Sequence, residues 1–428
     1  MKRALQLALL FLFTPFTQAQ LSITINGDNF SALPIAVVDF VNTGDALATD
    51  MAEIIRNDLA RSGQFKPLDK SLLVDKPGSD ADLNFGTWRL LKADYVSYGD
   101  ITHLDNDRME VRFKLASVAE QKQLLALTLP LSKSQARAGA HYIADRIYEE
   151  ILRIPGVFST KLAYVTAIKN GADFKYQLVV ADSDGYGPQA LVTSKEPLLS
   201  PSWSPDGKKI AYVSFENGNS AIYIQDLSTG ARTLMTNFQG INGAPKFSPD
   251  GRKLAITLSK SGNAEIYTID VFNKSLNQIT NHWAIDTEPE WSPDGGSLFF
   301  TSDRGGKPQI YEIDLIGKKA KRITFEGDYN ARPSISPDGK YIAMVHGNQN
   351  VYKIALFHRP SNTLQIVSDG RLDETPSFAP NGAMVLYATK NAAGQGLLKA
   401  VTTDGQTSND LVLSNGHVRE PNWSPLMK

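Results

Sequence analysis

The sequence predicts an N-terminal α/β domain followed by a six-bladed β-propeller that the C-terminal strand closes. Three observations predict this fold. A Ser-Pro-Asp-Gly motif recurs at a near-constant spacing, its last copy is cut short by the C-terminus, and the residues before the array carry mixed helix and strand patterns. A period of about 40 to 50 residues with several strands in each unit is typical of a β-propeller.

The repeat defines the blades. The motif positions Ser204, Ser248, Ser292, Ser336, Ala379 and Ser424 are separated by 44, 44, 44, 43 and 45 residues. The Asp-Gly pair between two apolar runs predicts a tight hairpin, because Gly adopts a positive φ without steric cost. Two further strands follow, at 221–224 and 232–235 in the first copy. Four strands make one blade, and turn chemistry accounts for the repeated Asp without any catalytic or metal-binding role.

A large apolar residue stands two positions before the motif proline in every copy. These residues are Trp203, Phe247, Trp291, Ile335, Phe378 and Trp423. We interpret the position as packing between neighbouring blades. Truncation of one of these Trp side chains should cost about 3–5 kcal/mol of stability.

Both ends of the array contribute to one blade. The sixth copy, residues 421–425, contains only a first strand. Residues 161–166 resemble the second strand of the first copy, and residues 176–180 and 190–193 supply a third and a fourth strand. We therefore predict that the C-terminal strand completes an N-terminal blade, which closes the ring and removes its open edges.

The first 19 residues are typical of a secretory signal peptide. Lys2 and Arg3 precede an apolar run at 4–13, and Ala19 is a suitable cleavage position. The run is too short to span a bilayer, and no other segment approaches a membrane span. The absence of Cys excludes disulfides and a lipid-modified N-terminal Cys. We therefore expect an exported protein without a membrane span.

Residues 20–27 follow the cleavage position. Leu21, Ile23 and Ile25 alternate with polar residues, which is a strand pattern. This arm is either an edge strand of the first domain or a free segment that pairs with a partner, and the two roles do not exclude each other.

The α/β domain is predicted over residues 20–156, and the propeller over 157–428. Met51, Ile54, Ile55 and Leu59 lie on one face of the first helix. The predicted elements are a strand at 34–41, a helix at 46–61, a short helix at 85–91, antiparallel strands at 95–104, 109–118 and 124–131, and a helix at 135–152.

Net charge and motifs exclude several classes of function. A net charge of −1 favours neither nucleic acid nor an anionic membrane as partner. The sequence lacks a Gly-x-Ser-x-Gly elbow, a phosphate loop, a Gly-x-Gly-x-x-Gly fingerprint and a His-Glu-x-x-His motif. Residues 182–185, Asp-Ser-Asp-Gly, lack the remaining ligands of a calcium loop and are interpreted as a turn. Residues 105–107 are interpreted as a hairpin loop. We expect a binding module with no cofactor and no metal.

The loops before each motif proline are the candidate binding site. There the chain passes from the outer strand of one blade to the inner strand of the next, so these loops ring the central channel on one face. Their mixture of carboxylates, Arg and apolar residues suits a protein partner, and the alternative is that they are ordinary solvated loops. The candidate residues are Leu199, Ser200, Ile241, Asn242, Ala244, Asp286, Thr287, Glu288, Arg332, Asp373, Glu374, Arg419 and Glu420. Since the chain enters the propeller at a second strand, we expect the α/β domain on the opposite face.

These features together resemble the TolB family of the Tol–Pal system of Gram-negative bacteria. The likeness covers essentially the whole mature chain, including its WD40-like (PD40) repeats. Its more specific segments are Ser-Phe-Glu at 214–216, Asn-Gly-Ala-Pro at 242–245, Thr-Glu-Pro at 287–289 and Leu-Asp-Glu-Thr-Pro at 372–376.

The resemblance implies a non-enzymatic scaffold in the periplasm that supports outer-membrane integrity and cell division. It implies binding of the lipoprotein Pal at the channel mouth, where Ala244, Thr287 and Glu288 fall on family contact positions and Ile241 replaces the family His. It also implies binding of TolA by the arm that begins at Gln20, and recognition by colicins. We expect a monomer. The alternative is an exported hydrolase or glycan-binding propeller that uses the channel.

Overall fold

The computed structural model of the chain describes residues 32–44, 47, 49–105, 107–171, 173–411 and 416–427. The predicted signal peptide and the arm with Leu21, Ile23 and Ile25 lie outside the described residues, as do positions 46 and 48 of the predicted first helix and Asn106 of the predicted hairpin loop. Within the described ranges, no helix has the length and apolar character needed to cross a membrane.

The N-terminal region is an α/β unit built on one mixed sheet. Its strands are β1 (Leu33–Val37), β2 (Val41–Asn42), β3 (Phe65–Pro67), β4 (Tyr95–Asp105), β5 (Arg108–Ser117) and β6 (Lys122–Ser132). The strand order is β3-β1-β4-β5-β6, and β2 pairs with β4. β1 runs parallel to β3 and β4, whereas β4, β5 and β6 are antiparallel, as predicted.

Helices cover this sheet. They are α1 (Met51–Arg61), α2 (Phe85–Leu90) and α3 (Ala136–Leu152), and short 3-10 helices lie at Lys70–Leu72, Asp80–Asp82 and Lys133–Gln135. The predicted start of the first helix at 46 is wrong, because Asp50 caps α1 and accepts a hydrogen bond from the backbone N–H of Glu53 at 3.0 Å. Met51, Ile55 and Leu59 are buried as predicted, and Ile54 packs half-buried at the edge of the same core.

Six four-stranded antiparallel sheets follow in the described residues. Within each blade we number the strands 1 to 4 from the channel outward. Blade 1 contains Leu198–Trp203, Lys209–Ser214, Ala221–Asp226 and Arg232–Thr236; blade 2 contains Asn242–Phe247, Lys253–Leu258, Glu265–Asp270 and Leu276–Gln278; blade 3 contains Asp286–Trp291, Ser297–Ser302, Gln309–Asp314 and Ala320–Arg322; blade 4 contains Tyr329–Ile335, Tyr341–Asn348, Val351–His358 and Thr363–Ile366; blade 5 contains Glu374–Phe378, Met384–Lys390, Gly396–Thr402 and Ser408–Leu411; blade 6 contains His417–Trp423, Lys161–Asn170, Asp173–Asp182 and Gln189–Ser194.

Blade 6 joins the two ends of the propeller, which confirms the predicted closure. Its strand 1 comes from the C-terminus and pairs antiparallel with strand 2, with Val418 opposite Thr166 and Trp423 opposite Leu162. Beyond the strand, the backbone N–H of Ser424 donates to the carbonyl of Lys161 at 2.9 Å. The ring is therefore held shut by ordinary sheet pairing.

The repeated turn uses the chemistry that the motif predicts. In blade 3 the hydroxyl of Ser292 donates to Asp294 Oδ1 at 2.5 Å, and the same oxygen accepts from the N–H of Gly296 at 2.9 Å. Gly295 between them has a φ of 72°. The hydrogen bond from Ser292 lowers the pKa of Asp294 below its ordinary value. The carboxylate of Asp294 therefore stabilises the turn as a hydrogen-bond acceptor.

The Trp residues at the repeat position lie between blades, as predicted. The indole N–H of Trp291 in blade 3 donates to the carbonyl of Lys246 in blade 2 at 3.0 Å, and that of Trp203 in blade 1 donates to the carbonyl of Asn422 in blade 6 at 3.1 Å. Each of these two indoles thus ties its own strand 1 to that of the preceding blade.

The α/β unit contacts the face of the propeller that carries the Asp-Gly turns. Asn381, in the equivalent turn of blade 5, donates from Nδ2 to the carbonyl of Pro155 at 2.8 Å. Asn409 of the same blade donates to the carbonyl of Arg61 at 2.8 Å, and Arg61 donates to Ser183 of blade 6 at 2.8 Å. The opposite face, where the strands 1 begin, stays clear of these contacts, as the sequence predicts.

Candidate functional site

The channel mouth is formed by the residue before the proline in each strand 1. In every described blade this residue is not Gly and yet has a positive φ, between 48° and 55°: Ser200, Ala244, Glu288, Arg332, Thr375 and Glu420. Each lies at a register shift between strands 1 and 2. Such a backbone conformation costs about 1–3 kcal/mol for a non-Gly residue. Because the positive φ recurs at the same position in each blade, the bulge is a regular feature of the blade structure.

These bulges surround a cavity of about 200 Å³ on the channel axis. The prolines that follow the bulges form the next layer of its wall. Because proline has no N–H, these positions need no hydrogen-bond acceptor in the sheet. Ile241 and Thr287 complete the wall on the side of blades 2 and 3. The mouth is therefore a preformed pocket with both apolar and charged walls.

An ion network crosses the mouth. Arg332 Nε lies 2.9 Å from Glu288 Oε1, and Arg332 Nη1 lies 2.9 Å from Glu420 Oε1. Nη1 also donates to the hydroxyl of Thr375 at 2.5 Å. The carboxylates, that of Glu420 foremost, raise the pKa of Arg332 above its ordinary value, so the guanidinium stays charged. Lys246 also lines the cavity, so the two carboxylates, the guanidinium and the ammonium group of its wall carry no net formal charge.

Hydrogen bonds within and between blades hold the two carboxylates in place. Glu288 Oε2 accepts from the hydroxyl of Thr301 at 2.9 Å and from the backbone N–H of Arg332 at 3.1 Å. Glu420 Oε2 accepts from the backbone N–H of Ser200 at 3.3 Å. The network therefore links blades 3, 4, 5, 6 and 1, and the side chains are oriented before any partner arrives.

The structure sorts the candidate residues into three groups. The wall of the mouth contains Ser200, Ile241, Ala244, Thr287, Glu288, Arg332 and Glu420. Glu374 and Arg419 are exposed beside it and line a neighbouring groove, and Leu199 is half-buried. The side chains of Asn242, Asp286 and Asp373 are fully buried.

The buried candidates hold the loops. Asn242 donates from Nδ2 to the carbonyl of Phe238 at 2.6 Å, which closes the loop between blades 1 and 2. Asp286 pairs with Arg304 at 2.5 Å, and Asp373 accepts from Thr389 at 2.5 Å. Their side chains shape the mouth from behind and do not face solvent.

Thr375 is a mouth residue that the predicted set omits. It occupies the same repeat position as Ala244 and Glu288, so the spacing alone could have identified it. The exposed side chains of Phe238, Trp283 and Ile285 on the same loops were also missed, because exposure of an apolar loop residue has no signature in a single sequence.

Within the described ranges, one group of side chains brings three potential metal ligands within 4.8 Å of one another: His141, Asp182 and Asp184. Arg137 pairs with both aspartates, and Lys161 pairs with Asp182. The predicted turn is confirmed here, since the N–H of Gly185 donates to the carbonyl of Asp182 at 2.8 Å. These cations already balance the carboxylates, so the group serves as a polar link between the α/β unit and blade 6.

Comparisons with known proteins agree over nearly the whole chain. A family model described as the TolB beta propeller domain matches residues 148–427, and one described as the TolB amino-terminal domain matches residues 21–124. The Tol-Pal system protein TolB of Xanthomonas oryzae pv. oryzae (strain MAFF 311018) is 52% identical over 426 residues, which are 99% of this chain and 97% of the relative. That of Xanthomonas campestris pv. campestris (strain B100) is 52% identical over 423 residues, or 98% and 96%. The crystal structure of TolB from Acinetobacter baumannii is similar with a TM-score of 0.86 and 41% identity, over 92% of this chain and 97% of that one.

Proposed function

The chain belongs to the TolB family, and from this premise we propose that it is a non-enzymatic scaffold of the Tol–Pal system in the periplasm that binds the lipoprotein Pal at its channel mouth. Its relatives from Xanthomonas are named as proteins of that system, and their similarity to this chain extends over nearly its whole length, which supports the same role here. In this proposal the protein connects layers of the cell envelope, maintains outer-membrane integrity and assists invagination during division.

The charged network at the mouth is the observation that carries this proposal. Glu288 and Glu420 share one guanidinium, that of Arg332. Lys246 lines the same cavity, so oriented charges of both signs lie beside the apolar side chain of Ile241. Oriented charges around an apolar element are typical of specific protein interfaces. A partner with polar or charged groups over the ion network and an apolar group over Ile241 would match both components.

The same network argues against the alternative of an exported hydrolase or glycan-binding propeller. A pair of carboxyl groups that hydrolyses glycosidic bonds needs one protonated and one ionised member with free access to substrate. Both mouth carboxylates instead bond to Arg332 and to backbone or hydroxyl donors. Their geometry suits recognition.

The test is capture of purified Pal by Glu288→Arg and Ala244→Trp variants. Reversal of a charge within a paired network costs about 2–5 kcal/mol of binding, roughly 30-fold or more in affinity. The Trp side chain at 244 fills a large part of the cavity and blocks access. The matched control is Lys208→Glu, a charge reversal on an exposed residue of the Asp-Gly turn face, which should bind Pal normally. If both mouth variants fold and still capture Pal like the unaltered protein, the mouth is not the contact.

The N-terminal arm completes the proposal as the TolA-binding element. Its residues Leu21, Ile23 and Ile25 lie outside the described residues, so the alternating pattern is what supports this role. A variant with Ser at all three positions should lose TolA binding and retain capture of Pal. Normal TolA binding by this variant would exclude the arm, whereas loss of both partners would indicate damage to the fold.

A further inference from the structure

Five exposed apolar side chains lie on consecutive loops of the mouth face, and we call them the apolar arc. Phe238 and Ile241 belong to the loop between blades 1 and 2, Trp283 and Ile285 to the loop between blades 2 and 3, and Phe325 to the loop between blades 3 and 4. Their exposed fractions are 37%, 50%, 77%, 52% and 54%. Large apolar side chains clustered in this way mark interaction surfaces more often than isolated ones do.

The arc is continuous with the channel mouth. Ile241 is a member of both, since it also lines the cavity with Ala244 and Thr287. The backbone N–H of Ile241 donates to Ser259 Oγ at 2.7 Å, and that of Ile285 donates to Asp303 Oδ1 at 2.9 Å. Both acceptors lie in loops between strands 2 and 3, which place the arc on the same face as the mouth.

The loop that carries Trp283 is held in one conformation. Asn263 Nδ2 donates to the carbonyl of His282 at 2.7 Å and to the carbonyl of Ala284 at 2.7 Å, one on each side of Trp283. The ring of His282 lies 5.2 Å from that of Trp283. The indole is thus presented to solvent by an ordered loop, which lowers the entropy cost of binding to it.

The equivalent loops on the other side of the ring are polar where the structure describes them. The loop between blades 6 and 1 is Lys-Glu-Pro at 195–197, and the loop between blades 4 and 5 exposes Asp369 and Arg371 while it buries Val367. The blades themselves are near copies of one another. The apolar arc therefore adds an apolar side to a mouth whose six bulge residues already differ from blade to blade.

We propose that the apolar arc anchors the partner of the channel mouth and sets its rotational position about the channel axis. This inference rests on the proposed function, so the occupant is Pal, which should present an apolar patch to Trp283 and polar or charged groups to the ion network of the mouth. The six bulge residues of the mouth differ in type, so the partner already meets different groups at each setting, and the arc favours the setting in which its apolar patch is covered. Trp is the residue type most enriched among the energetic hot spots of interfaces.

The first test measures the affinity of the full-length protein for purified Pal. Trp283→Ala should weaken binding by at least about tenfold, as expected for a hot-spot residue. Phe272→Ala is the matched control, because Phe272 is also 77% exposed but lies with Asp250 and Asp270 on the opposite face. Ile285→Asp should weaken binding as well, and thermal unfolding should be unchanged because these side chains face solvent.

The second test maps the orientation of the complex by cross-linking. The chain has no Cys, so single Cys variants at the exposed positions Asn281, Glu196 and Arg371 can each carry one photoactivatable label. With the arc intact, each label should react with its own single peptide of Pal. In the Trp283→Ala background, the remaining complex should give the same Pal peptides from more than one label.

The outcomes separate the two proposals. If the unaltered protein does not bind Pal, the proposed function fails and this inference fails with it. If the unaltered protein binds Pal and Trp283→Ala binds equally well, the proposed function stands and the anchoring role is refuted. An equal loss in Phe272→Ala, or unchanged single-peptide cross-links in the Trp283→Ala background, refutes it as well.

Discussion

Replacement of Trp423 tests whether the C-terminal strand holds the ring closed. The side chain is 7% exposed and packs with Leu162 and Leu386 in the core shared by blades 5 and 6. Its indole N–H donates to the hydroxyl of Thr160 at 2.8 Å, and its backbone N–H donates to Ser377 of blade 5 at 3.0 Å. Trp423 therefore bonds both to the segment before strand 2 of its own blade and to blade 5.

The expected cost follows from these contacts. Trp423→Ala removes the buried ring and leaves a cavity, which should cost about 3–5 kcal/mol. Trp423→Phe keeps most of the apolar contact and loses the hydrogen bond to Thr160, a loss of about 0.5–1.5 kcal/mol. For a propeller of this size, the Ala variant should melt roughly 6–20 °C lower.

Circular dichroism during urea and thermal unfolding measures both variants, with Trp291→Ala as the matched control. Trp291 occupies the same repeat position between blades 2 and 3 and is 6% exposed, but it lies away from the seam. Similar losses at the two positions are expected if blade 6 is bonded as tightly as the others. A loss below about 1 kcal/mol at Trp423, beside a full loss at Trp291, would refute the closure.

Further predictions concern titration and backbone strain. Ser292→Ala should raise the pKa of Asp294, which the fold holds below its ordinary value. The ionised carboxylate therefore stabilises the fold above its ordinary pKa, and this stabilisation is lost as pH falls. Melting scans from pH 5 to 3 should show a shallower loss of stability in the variant. Burial lowers the pKa of His346, so stability should fall as pH drops below about 6.5, and His346→Gln should remove this fall between pH 7 and 5. Ala244→Gly should relieve about 1–2 kcal/mol of positive-φ strain against about 0.5–1 kcal/mol of added chain entropy, and urea unfolding should show a small net gain, whereas the control Ala255→Gly in strand 2 should lose stability.

The blade plan could be predicted from the sequence because its determinants are local. Ser292, Asp294 and Gly295 lie within four positions of one another and satisfy each other's hydrogen bonds, so each copy specifies its turn without help from the rest of the fold. The closure was also predictable, since the sixth copy lacks the strand that residues 161–166 supply. Repetition turns a weak local signal into a strong one.

The remainder depends on contacts that a single sequence does not reveal. β3 has three residues and exists because β1 offers it a parallel partner. The sequence does not distinguish the exposed Glu374 from the buried Asp373 beside it; the difference arises because Asp373 meets the hydroxyls of Ser368 and Thr389. The apolar arc cannot be read from the sequence for the same reason. Val367 and Phe325 are both apolar loop residues, but Val367 is buried and Phe325 is exposed.

Ring closure and the channel mouth share a single strand, which affects how any binding experiment is read. Glu420 and Trp423 are three positions apart in strand 1 of blade 6; one bonds to Arg332 in the mouth and the other to Thr160 beside the α/β unit. A substitution that loosens this strand must therefore lower stability and displace a mouth carboxylate together. Trp283 lies in a loop of blades 2 and 3, which have no residue in that strand. Loss of Pal binding in Trp283→Ala, at unchanged stability, would thus report on the surface alone, whereas the same loss at Glu420 would not separate contact from closure.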